Sequence, residues 1–185
     1  MAEPVNGPGS SPPATELDLR VAVVEVEQHA SGSGWDQPAR LFALVPTVEL
    51  AAAEPELAAE LGISDGTNPL LTPVEQELDD QVQSLEELLG QISWPESVVG
   101  VLAVLERVVL PPEVEASVPA DPIEAVEFAA DHAAREDVRI AVGVLRSGQS
   151  HCVLRMRSHD SDDALIHGSD VVPALVEALR ETLVA

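Results

Sequence analysis

The sequence predicts an α+β domain, a mainly antiparallel sheet with helices packed on it, in the order α-β-α-α-β-α-β-β-α. Three observations carry that expectation. Helices marked by prolines and capping residues alternate with short aliphatic strands, without the regular βαβ beat of a doubly wound sheet, which is the alternative. Two aliphatic runs near the C-terminus, Val138–Arg146 and His151–Arg157, lie one hairpin loop apart. Finally, 45% of the 185 residues are hydrophobic but only 2% are aromatic, so the interior must be built from Val, Leu, Ile and Ala. At this length one domain is expected, burying roughly 70% of the unfolded chain's surface.

Residues 1–13 (MAEPVNGPGSSPP) carry no apolar periodicity and read as a disordered tail, leaving 14–185 as the folded domain. Thr15 then opens a helix, with Asp18 at the N3 position of a capping box. Leu17, Val21 and Val24 share one of its faces. The β-branched cluster Val21, Val23, Val24 and Val26 keeps a strand open as the alternative. Gly32-Ser33-Gly34 ends the element. Arg40–Thr47 reads as a strand whose Pro46 points to a sheet edge or bulge. Pro55 and Gly62 bracket a short helix, and 62–71 is a loop.

The strongest helix signal follows. Thr72 as cap, Pro73 at the first helical position and Glu75 at N3 precede Val74, Leu78, Val82, Leu85, Leu89 and Ile92, which recur at steps of four and three. Gly90 and Trp94-Pro95 terminate it. Val98–Leu110 is a buried strand or strand pair, stopped by Pro111 and Pro112. Asp121, Pro122 and Glu124 repeat the cap, proline and acid pattern of a helix start, with the helix running to about Arg135. After the hairpin, Ser169 or Asp170 caps a last helix that turns Val172, Leu175, Val176, Leu179 and Leu183 inward.

Charge narrows the function. There are 33 acidic residues against nine basic ones, all arginine, for a formal charge of −24. Such a chain repels nucleic-acid backbones, whose binding depends on Lys and Arg displacing counterions. The lack of lysine removes a P-loop lysine, a Schiff base and a lysine base. The single Cys152 forms no internal disulfide, and the longest apolar run, Val98–Leu105, is far short of the ~20 residues that span a bilayer. The N-terminus has neither the basic nor the apolar region of a signal peptide, so a soluble cytoplasmic protein is expected.

Parity sharpens the hairpin. Ile140, Val142 and Val144 share one face of the first strand; Cys152, Leu154 and Met156 share one face of the second. Burying both sets together requires an odd-numbered loop, most simply Ser147-Gly148-Gln149. The opposite face then carries Arg139, Arg155 and Arg157, with His151 nearby. Five of the nine arginines fall within 135–157. Either acidic neighbours neutralise them, or they form a docking face for a carboxylate-bearing partner through bidentate pairing. Trp35, in Gly34-Trp35-Asp36-Gln37-Pro38-Ala39-Arg40, reads as a structural corner with Asp36 paired to Arg40. Otherwise, with or without Trp94-Pro95, it is an exposed interface anchor.

Other chemistry finds little footing. Counted from Asp160, the segment Ser158–Asp170 has Ala and Leu at positions five and six, where a calcium loop needs an oxygen ligand and a glycine. His151, Cys152, His159 and His167 have no zinc spacing. No Gly-x-Ser-x-Gly elbow exists, and Cys152 is expected to point inward. His29 and His132 fall late in expected helices, where a histidine suits the dipole. Catalytic, cofactor and metal residues are therefore assigned to none. Arg139, Arg155, Arg157, His151 and Trp35 are the candidate partner-binding residues.

The segment Trp35-Asp36-x-Pro38-x-Arg40-Leu41-Phe42-Ala43-Leu44-Val45 resembles a family of small acidic actinobacterial proteins of unknown function. So do Glu106–Pro112, Val144-Leu145-Arg146-x-Gly148, Arg155-x-Arg157 and Val172-Pro173-x-Leu175. The resemblance spans roughly residues 15–184 and implies no particular activity or cofactor. The element order alone is similar to that of acidic secretion chaperones, an architectural likeness that does not dictate function. The expected function is a non-enzymatic, chaperone- or adaptor-like interaction domain for a protein partner. The alternative is an anion-binding domain or enzyme, with Arg146, Arg155 and Arg157 as clamp and His151 or His159 as acid/base.

Overall fold

A computed structural model describes residues 13–60, 62–63, 70–78 and 85–184. The expected tail, except Pro13, lies outside these residues, as do 64–69 of the expected loop and Val82 of the expected long helix.

Helix α1 (Glu16–Ser31) starts at the expected capping box: the Asp18 N–H donates to Thr15 Oγ1 at 3.3 Å, and the Thr15 N–H to Asp18 Oδ2 at 2.8 Å. Its buried stripe is not the expected one, however. Leu19, Val23, Val26 and Ala30 face the sheet, whereas Leu17 and Val21 are exposed. Strand β1 (Arg40–Pro46) runs directly into α2 (Thr47–Ala53), followed by α3 (Pro55–Glu60).

The next element corrects the strongest helix expectation. Leu71–Gln76 is a strand, β2, antiparallel to β1, with Leu44 opposite Pro73 and Phe42 opposite Glu75. A residue before proline is pushed out of the helical region, and β-branched Thr72 and Val74 suit a pleated surface. Long-range contacts then settle the contest: the Thr72 and Thr47 hydroxyls lie 2.9 Å apart, and Arg40 pairs with Glu75. Pro73 is tolerated because β2 is an edge strand. Among the described residues of the expected helix, Leu85–Leu89 is helical, as α4.

Strand β3 (Gly100–Val109) leads to α5 (Pro112–Glu115) and α6 (Pro122–Asp131). Asp121 caps α6 as expected, accepting from the N–H groups of Ile123 and Glu124 at 3.0 and 3.1 Å. The hairpin is β4 (Glu136–Leu145) and β5 (Ser150–Met156). Its loop is odd-numbered, but it is Arg146-Ser147-Gly148, so Val142 faces Cys152 and Leu145 donates to Gln149 O at 2.9 Å. The loop sits one residue earlier than expected because Gly148, at φ 97°, fills the left-handed third position of a three-residue hairpin loop. A short β6 (Ile166–Gly168), which the sequence-based order lacks, pairs with β5. The last helix, α7 (Pro173–Leu183), opens after Val172 rather than at Ser169 or Asp170. Pro173 fixes the first turn, while the Ser169 carbonyl accepts from Ser150.

Among the described residues six strands form one sheet in the order β2-β1-β3-β4-β5-β6, with every neighbouring pair antiparallel. The α+β class holds, and a doubly wound parallel sheet does not. Alternation gives the sheet two buried faces. On one, Phe42, Leu102, Ala141 and Val153 pack with α1. On the other, Ala103, Val142 and Cys152 pack with α4, Trp94 and α7. Among the described residues no helix is long and apolar enough to cross a membrane.

Candidate functional site

The α1 face of β4 and β5 takes the odd-numbered residues, which places Arg139 directly opposite Arg155. Two like charges facing each other across a ladder repel. The fold resolves this with Glu27, which lies on the buried stripe of α1 and is fully buried. Arg155 Nε and Nη2 donate to the two Glu27 oxygens at 2.6 and 2.8 Å, and Arg139 Nη1 stands 4.0 Å from Oε1. Arg139 Nη2 also donates to Glu106 Oε1 at 2.9 Å and to the Gly34 carbonyl. Asp160 and Asp162 take the rest of the Arg155 fork at 3.2 and 2.6 Å.

Trp35 closes the top of this cluster. Its indole N–H donates to Asp160 Oδ2 at 2.8 Å, and the Arg139 and Arg157 guanidinium carbons lie 4.5 and 5.5 Å from its ring centres. Asp36 does not pair with Arg40 as expected. It receives Arg157 in a bidentate grip at 3.1 and 3.0 Å, and Arg40 goes to Glu75. The turn at Asp36, at φ 64°, swings the carboxylate toward Arg157, and its N–H donates to Glu106 Oε2 at 2.7 Å.

Protonation follows these contacts. Hydrogen bonding to Glu27, supported by Asp162, raises the Arg155 pKa against the opposing effect of burial. The Trp35 N–H, with Arg155 and Arg139 behind it, lowers the Asp160 pKa; Arg157 does the same for Asp36. Three guanidiniums, Arg139, Arg155 and Arg157, thus meet six carboxylates: Glu27, Asp36, Glu106, Asp137, Asp160 and Asp162. The cluster carries no surplus positive charge with which to attract an anion.

The five sequence-derived candidates divide accordingly. Arg139 and Arg155 are 1% and 2% exposed and turn toward α1. Arg157 is exposed, and Trp35 is half-buried between the arginines. His151 is buried on β5, its Nε2 lying 3.3 Å from Nδ1 of His167 on the neighbouring β6. The residues of the alternative reading do not converge. His159 faces the Ser158 hydroxyl at 2.8 Å, while Arg146 donates to the carbonyls of Trp94, Pro95, Val98 and Leu183. Cys152 is fully buried, and burial raises its pKa. Glu27 was missed at the sequence level. Its signal is an acid at core spacing, four residues after Val23 and three before Ala30.

Desolvation, reinforced by His167 and Arg20 and opposed by Glu16, lowers the His151 pKa below 6.5. A histidine whose folded pKa is depressed leaves stability intact above its unfolded value and costs stability as pH falls through it. Urea unfolding is therefore expected to show a loss beginning near 6.5 that flattens in His151→Gln. An unchanged pH profile in that variant would show that His151 is not the group responsible.

A family model described as PPA1309-like protein matches residues 19–184. The chain matches no curated protein and no solved structure.

Proposed function

The chain belongs to the PPA1309-like protein family, and from that premise we propose that it is a non-enzymatic cytoplasmic interaction domain, adaptor- or chaperone-like, docking a basic protein segment on α6. The observation that carries this reading is that α6 has no buried residue. Ile123 and Val126 are 73% and 69% exposed, and with Ala130 they form one helical face at spacings of three and four. The opposite side of the helix, with Phe128 half-buried, rests against the body. A surface helix that keeps its apolar residues outward has a face for something else to cover.

The partner's charge follows from the surroundings. Glu124, Glu127 and Asp131 run along one side of that face, and the helix carries no basic residue. Two copies meeting there would oppose like charges, whereas an amphipathic basic segment would be steered toward it. The anion-clamp and enzyme alternatives gain nothing from the hairpin, because its arginines are occupied by the chain's own carboxylates and carbonyls.

Both apolar anchors are exposed, so Ile123→Ser with Val126→Ser should leave the unfolding midpoint unchanged. A partner held stoichiometrically by the wild-type chain, and released by salt, should be bound at least tenfold more weakly by the double variant. Equal binding by the two chains would remove α6 as the docking element. Loss of binding on Arg157→Glu alone would return the role to the hairpin.

A further inference from the structure

The cavity between the second half of α1, the β1–β2 pair and α3 has about 760 Å³ of space, within the range of small-molecule sites, roughly 300–1,000 Å³. Val26, Phe42, Leu57 and Val74 supply apolar walls from all three sides. Glu25 and His29 reach it from successive turns of α1, and Arg40 and Glu75 reach it from paired strands.

Its polar groups favour one sign of ligand charge. Arg40 is already engaged: Nε and Nη2 donate to the two Glu75 oxygens at 2.6 and 2.7 Å, and the guanidinium lies 5.3 Å from the Phe42 ring centre. The pair holds Glu75 in place without saturating it. A carboxylate has about four lone-pair directions, Arg40 uses two of them, and the Glu75 side chain is 48% exposed. Glu25 adds a second carboxylate at the cavity. Two carboxylates face one committed guanidinium and the His29 imidazole, and in a chain of charge −24 that balance opposes an anion and favours a cation. A second hollow of about 400 Å³ is lined by the same ion pair and adds Glu77, so the surroundings stay acidic.

We infer that this cavity binds a small molecule with an apolar body and an ammonium group, the body against Val26, Phe42, Leu57 and Val74 and the ammonium at Glu75 and Glu25. The site is separate from the proposed α6 surface and does not depend on it.

The test titrates the full chain with hexylammonium, hexanoate and tetramethylammonium, following backbone amide resonances. Hexylammonium should give saturable shifts at Val26, Leu57 and Val74 and bind at least fivefold more tightly than either other probe. Glu25→Gln, at an exposed position, should weaken hexylammonium at least fivefold without lowering the unfolding midpoint. Val74→Phe, which fills the cavity, should do the same through the apolar body. Hexanoate binding to within fivefold of hexylammonium would overturn the charge assignment. A comparable response to tetramethylammonium would reduce the effect to bulk charge and overturn the site. Shifts confined elsewhere, or affinity within fivefold of wild type in both variants, would also overturn it.

Discussion

Replacing Glu27 with alanine is expected to destabilise the protein by about 3–5 kcal/mol, the cost of leaving a buried charge without its partner. Glu27 is 0% exposed and stands between two guanidiniums that face each other across the β4–β5 ladder. Without it, Arg155 Nε has no acceptor, and Arg139 Nη1, which makes no hydrogen bond among the described residues, loses the carboxylate 4.0 Å away. Asp160 and Asp162 still hold the outer nitrogens of Arg155, which sets the effect toward the lower end of that range. Glu27→Gln keeps the shape and one acceptor and is expected to cost about 1.5–3 kcal/mol, the scale of a hydrogen bond to a charged group. Urea unfolding followed by circular dichroism measures both. A loss of under about 1 kcal/mol for the alanine variant, the size typical of an exposed ion pair, would mean that water reaches the cluster.

Trp94→Ala is expected to cost a similar amount, about 3–5 kcal/mol, but through a cavity rather than a charge. Trp94 is 9% exposed and packs in the core between the sheet, α4 and α7. Its indole N–H donates to the Thr182 hydroxyl of α7 at 3.0 Å, and its carbonyl accepts from Arg146. Truncation opens a void and unties the last helix. Trp94→Phe keeps most of the apolar volume and is expected to lose only about 1–2 kcal/mol, the hydrogen bond plus a small void. If alanine and phenylalanine cost the same, the hydrogen bond and not the packing would carry the contribution. The interface role open to Trp94 at the sequence level therefore goes to an internal one.

Local signals were the legible ones. The capping residues Thr15 and Asp121, the compact run Arg40–Thr47 and the parity of the hairpin are decided within a few residues, and the structure keeps them, the strand ending one residue early at Pro46. Thr72-Pro73-Val74-Glu75 was misread because its local pattern fits a helix start equally well. What decides it is the pairing with β1 and the Arg40 guanidinium, about which the neighbouring sequence says nothing. Asp36 failed in the same way: Arg40 is four residues away, but its partner Arg157 follows β5, 121 residues further along the chain. The concentration of arginines was visible, and so was their common face. That Glu27 would neutralise two of them required knowing that α1 crosses that face, with Leu19 and Val23 packed over Gly143. The exposed face of α6 was not read, because its apolar spacing alone does not distinguish a buried side from an open one.

The most direct measurement is backbone amide hydrogen exchange of the chain, free and bound to its captured basic partner. The account predicts new protection over 121–131 on α6, with the Trp35–Arg40 corner and the Arg155–Asp160 segment exchanging as in the free protein. Protection at the Trp35 and Arg157 corner, with α6 unchanged, would contradict it.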